Sequence, residues 1–135
     1  MVPKISFGSG KEFYQIKRLN ELVFDSRKIR YGIVQPGKYD PNGRYLVRGQ
    51  DYSRGFKSDL IDVFRVSDEI EIKYRKARLC KGDIVMTIVG AGTGTVMIVP
   101  EVYDGSNITQ TTARISIDPK NANPKYCLYY LESTY

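Results

Sequence analysis

Glu71-Ile72-Lys73 is the spacing that comes nearest to catalytic chemistry. An acid-x-lysine pair with an upstream carboxylate is how metal-dependent nucleases hold Mg²⁺ and place a lysine near the attacking water. Asp59 or Asp62 would supply the second carboxylate, so a nuclease around Asp62, Glu71 and Lys73 is one reading. The plainer reading is a charged helix face, on which Glu71 and Arg75 form a solvated i,i+4 pair, and the short motif favours it. The glycines of Gly90-Ala91-Gly92-Thr93-Gly94 invite a phosphate loop. They match neither nucleotide-binding pattern, and the TVMIVP that follows reads as a strand, leaving no helix N-terminus for a phosphate. Asp83, after Lys81-Gly82, reads as a turn aspartate that accepts backbone hydrogen bonds.

Two polar loops, 44–54 and 104–112, carry a different kind of chemistry. Arg and Gln side chains pair bidentately with guanine and adenine edges, and Thr and Tyr hydroxyls add to them. Arg44, Arg48, Gln50, Tyr52, Arg54, Gln110 and Thr111 are therefore candidates for base or phosphate contacts in nucleic acid. Lys73, Arg75, Lys76 and Arg78 are candidates for backbone phosphates, whose charge they would neutralise. Gly82, Asp83, Gly90, Gly94 and Asn107 are expected to hold loop geometry. A net charge of +6 suits a polyanionic partner. With no histidine, every site that needs imidazole is excluded, and two cysteines alone make no structural zinc site. Cys80 and Cys127 read as small buried residues in a reducing compartment. No metal site is expected.

These residues have to be positioned by short elements. Residues 84–89 and 96–99 are apolar, rich in β-branched side chains and joined by glycines, so they read as a buried strand pair at the centre of the chain. Residues 1–12 are expected to be a flexible lead, and 14–19 a strand running to Asn20 as a possible helix cap. Asp40-Pro41-Asn42-Gly43, between Tyr39 and Tyr45-Leu46-Val47, suggests a hairpin. Strands are expected at 63–66 and 113–117. A short helix at 67–76 would be capped by Ser67, with its acids first and its bases last. A final helix opens at Asn123-Pro124. The expected class is α+β: a single globular domain over 13–135, with a twisted, mostly antiparallel sheet or partial barrel and a few short helices. No run approaches the ~20 apolar residues of a membrane span, and no secretory signal is visible, which makes the cytoplasm the default.

Taken in order, KIRYGIVQPG (28–37), YLVRGQDYSRG (45–55), KYRKARLCKGDIV (73–85), VGAGTGTVMIVP (89–100), SNITQTTARI (106–115) and YCLYYLES (126–133) resemble the target recognition domain of type I restriction–modification specificity (HsdS) subunits. The resemblance implies a non-catalytic domain that reads one half of a bipartite duplex DNA sequence. Its partners would be double-stranded DNA, the modification (methyltransferase) subunit and, in the full complex, the restriction subunit. S-adenosylmethionine, ATP and Mg²⁺ would belong to those subunits, so no cofactor is expected in this chain. Full specificity subunits carry two such domains joined by long spacer helices. Here one domain is expected, ending where a spacer helix would start, as a fragment, truncated product or stand-alone variant. The competing readings are the Mg²⁺-dependent nuclease and a scaffold that binds the methyltransferase without reading DNA.

Overall fold

The computed structural model describes residues 4–8 and 14–134. Strands β1 (Lys4–Gly8) and β2 (Tyr14–Arg18) pair antiparallel, so part of the expected flexible lead is a strand. The rest of that lead lies outside the described residues. Asn20 falls inside a 3₁₀ turn, Leu19–Glu21, rather than capping a helix.

The centre is a four-stranded antiparallel sheet in the order β3 (Arg30–Tyr31), β9 (Thr112–Ile115), β6 (Ile84–Thr87), β7 (Val96–Ile98). All four residues of β6 are buried because it has a core on each face. With the period of two, Ile84 and Met86 join one cluster and Val85 the other. That is why its sequence is a continuous apolar run instead of an alternation. The first cluster is closed by α3 (Pro124–Thr134), which buries Cys127 and Leu131, one turn apart, against Ile84, Val96 and Ile115. Asn123 caps this helix: its Oδ1 accepts the Lys125 and Tyr126 amides at 2.9 and 3.3 Å. The second cluster takes Val85, Leu79, Val99, Tyr103 and Ile108.

A three-stranded sheet orders β5 (Phe64–Val66), β4 (Arg44–Val47) and β8 (Asn107–Ile108). Residues 40–43 do turn, with the Gly43 amide on the Asp40 carbonyl at 3.0 Å, but they make no hairpin. The partner of β4 is β5, antiparallel, and on its other edge β8, parallel. The sheets meet where Ile33, just beyond β3, bridges Thr109. The closeness there is extreme: a Cβ on Gly32 would lie 1.7 Å from the Ile108 carbonyl oxygen.

The stretch 48–56 includes a single-turn helix, α1 (Gly49–Tyr52). The helix expected at 67–76 is α2 (Asp68–Glu71) continuing as a 3₁₀ segment, Ile72–Ala77. Ser67 precedes it, yet only its carbonyl caps, accepting from Ile70 and Glu71 at 3.2 and 3.0 Å. The class is α+β. Among the described residues no helix is long and apolar enough to cross a membrane. Of the two cysteines, Cys127 is buried but Cys80 is exposed, against expectation, because it sits in the turn that leads into β6.

Candidate nucleic-acid interface

The candidate residues divide between one end of the central sheet and one flank. At the end, hydrogen bonds gather the loops: the Gln110 amide donates to the Ile33 carbonyl, and the Ile88 amide to the Thr111 carbonyl. The Gly94 amide donates to the Thr87 carbonyl, and Gly90, Gly92 and Gly94 all have positive φ, so the 88–95 connection folds tightly back on β6. α1 is tied to the same end through Tyr52, whose hydroxyl lies 2.6 Å from Thr87 Oγ1 and 3.0 Å from Thr112 Oγ1.

That contact removes Tyr52 from the candidate set, since the ring is fully buried and its hydroxyl is spent. Arg44 is also engaged inside the protein, donating to the Gly105 carbonyl at 2.8 Å with its Nε 3.3 Å from Glu71. Arg48 is held in place more loosely. Its guanidinium lies over Phe64, 5.7 Å from the ring centre, while its amide donates to Asp51 at 2.7 Å. Gln50, Arg54 and Gln110 are exposed, and Thr111 is half-buried beside Thr109. These four are the members of the loop set that face outward or lie at its edge.

The flank is cationic. Lys73, Arg75 and Lys76 are exposed on the 3₁₀ segment and face Lys28 and Arg30 across two adjoining cavities of about 330 and 420 Å³. The buried Arg114 of β9 makes the two strips converge. Its guanidinium donates to the carbonyls of Lys28 at 2.5 Å, Arg78 at 3.2 Å and Lys76, so one side chain ties together both stretches of backbone. Burial, with the charge of Arg27 beside it, pushes Arg114 down to about 10. Arg78, expected among the phosphate contacts, instead spends its guanidinium on Glu71 at 2.6 and 2.8 Å. Lys28, Arg30 and Arg114 are missing from the candidates read in sequence. The alternation Lys28-Ile29-Arg30 was the available signal, with its bases exposed around a half-buried isoleucine.

Of the residues expected to shape loops, Gly82, Asp83, Gly90 and Gly94 sit at turns, whereas Asn107 lies in β8. Asp83 accepts the Cys80 amide at 2.7 Å and a two-pronged contact from Arg27 at 2.7 and 2.8 Å. Gly82 has φ 87° and donates to Val99. Asn107 is buried, and its amide donates to Glu71 and to the Tyr74 carbonyl.

The nuclease constellation does not assemble. Glu71 is buried on Arg78, Arg44 and Asn107, and not solvated beside Arg75. Asp62 is exposed, 3.9 Å from Lys57, and Asp59 bonds the Ile61 amide. Among the described residues no three acidic or thiol groups are gathered to hold a metal ion.

No family model matches the chain. Over 115 residues, 85% of its length, the chain is 36% identical to the type I restriction enzyme EcoBI specificity subunit of Escherichia coli. It spans about a quarter, 24%, of that relative's length. The match takes in most of the strands and loops described above, and with it the chain is identified as an HsdS-like target recognition domain.

Proposed function

We propose that this domain is a sequence-reading, double-stranded DNA-binding module that reads one half of a bipartite target for a type I restriction–modification complex and catalyses nothing itself. The observation that carries the reading is the relationship to a specificity subunit over most of the chain. The layout supports it, because the exposed Gln50, Arg54 and Gln110 and the half-buried Thr111 share an end of the sheet, and the cationic flank adjoins that end through β3. In this reading Gln50, Arg54, Gln110 and Thr111 meet base edges, while Lys28, Arg30, Lys73, Arg75 and Lys76 meet phosphates and fix the register. The modification subunit would supply methyl transfer and the restriction subunit cleavage, both in the cytoplasm with their own S-adenosylmethionine, ATP and Mg²⁺.

The test is to place residues 13–133 in a working type I specificity subunit in exchange for one recognition domain, then map adenine methylation across the host genome. The expected result is a bipartite motif altered only in the exchanged half. A chimera that assembles with its methyltransferase but methylates no site overturns the reading and favours a scaffold.

A further inference from the structure

We propose that the larger cavity on the cationic flank is a discrete seat for one phosphate-type anion, a backbone diester or free phosphate, held by Lys28, Arg30, Arg75 and Lys76 above the guanidinium of Arg114. The inference deepens the DNA-reading proposal and rests on it only for the diester source.

Arg114 is 1% exposed, and among the described residues it makes no ion pair. Its acceptors are three neutral carbonyls, and its Nε is buried without any acceptor. Two of the other arginines that line the cavity are neutralised, Arg27 by Asp83 and Arg78 by Glu71. The carboxylate whose charge reaches it, Asp83, is paired directly with Arg27, so Arg114 is a costly buried cation and an anion in the cavity offsets that cost. The rim repeats the imbalance: four exposed or partly exposed cations stand against one carboxylate, Asp25. Donors reach the space from two separate backbone stretches and from below. Such a convergent set suits a tetrahedral anion with several oxygens better than a planar carboxylate. At about 420 Å³ the cavity has room for a phosphate with part of its hydration shell.

The chain is titrated with inorganic phosphate and separately with dimethyl phosphate, with chloride at matched ionic strength as the control. Thermal unfolding and ³¹P NMR are the readouts. Saturable stabilisation by either phosphate, weakened at least tenfold in a Lys28→Ala/Lys76→Ala double variant, is the expected result. Those side chains are exposed, so the variant keeps its fold, whereas Arg114→Met also strips three carbonyls of their donor. Dimethyl phosphate binding that duplex DNA displaces marks the diester as the ligand, and inorganic phosphate alone marks the free ion. Stabilisation no greater than that by chloride, or binding unchanged in the double variant, overturns the seat. If duplex DNA binds while both phosphates behave like chloride, the seat falls and the DNA reading stands. If a phosphate binds and no duplex does, the reverse holds.

Discussion

Both carboxylate oxygens of Glu71 are occupied, one by Arg78 and Asn107, the other by Arg78 and Arg44. Burial alone would raise this carboxyl. The hydrogen bonds from Arg78 and Asn107, with the charges of Arg78 and Arg44, outweigh it and hold the group below its ordinary value. A lowered carboxyl pKa adds stability that is present above the ordinary carboxylate range and is lost as pH falls through the folded value. Glu71→Gln is therefore expected to cost about 3 kcal/mol at pH 7, as for breaking a buried ion pair whose other member is partly solvated. The gap from wild type should narrow as pH falls below about 4, where the unfolded carboxyl takes up its proton, and close further towards the lower value at which the folded carboxylate does. Urea unfolding of both proteins at several pH values checks this. A gap that stays constant down to pH 2.5 would mean that the charge contributes nothing.

Among elements, the seam between the two larger sheets depends on close backbone approach at Gly32. Gly32→Ala puts a methyl group inside the Ile108 carbonyl and forces β3 away from β8. The expected loss is about 3 kcal/mol or more, a fall in Tm of roughly 10 °C. Gly55→Ala meets no atom within 4 Å and bears only the cost of φ 93°, about 1 kcal/mol. Thermal melts of the two variants separate crowding from backbone strain, and equal losses would contradict the seam. The same non-local pairing explains which elements were legible in sequence. β6, β7 and β9 could be read because each is an apolar or alternating run bounded by Gly or Pro, and α3 because Asn123-Pro124 opens it. β3 and β8 are two residues long and exist only through partners far along the chain. The hairpin at 40–43 misled for that reason: the turn is real, but what pairs with β4 is not beside it. Half of the cationic flank was legible, as Lys73, Arg75 and Lys76 follow from charge order. The other half depends on Arg114, and nothing local marks an arginine inside a buried strand as the tie between two distant segments.

At the scale of the whole molecule, the net charge of +6 matters less than its concentration on one flank. If Lys73, Arg75 and Lys76 each neutralise a phosphate, replacing all three by alanine lowers the slope of log Kobs against log[salt] by about 2.7. It should also weaken every duplex alike. Binding isotherms at several salt concentrations on cognate and unrelated duplexes measure both effects, and an unchanged slope would remove these residues from the DNA contact. The pairing of β3 with β9 has a further consequence, in time. Arg30 must wait for Arg114, 84 residues later, and Leu46 for Asn107. At about 5–20 residues per second, a ribosome leaves the first strand of the central sheet without its neighbour for roughly 4–17 seconds. During synthesis the nascent chain therefore holds open strand edges that only its own last third can close. Neighbouring ribosomes on one message would expose the same edges side by side, so slow translation through the final third is where two copies would exchange strands.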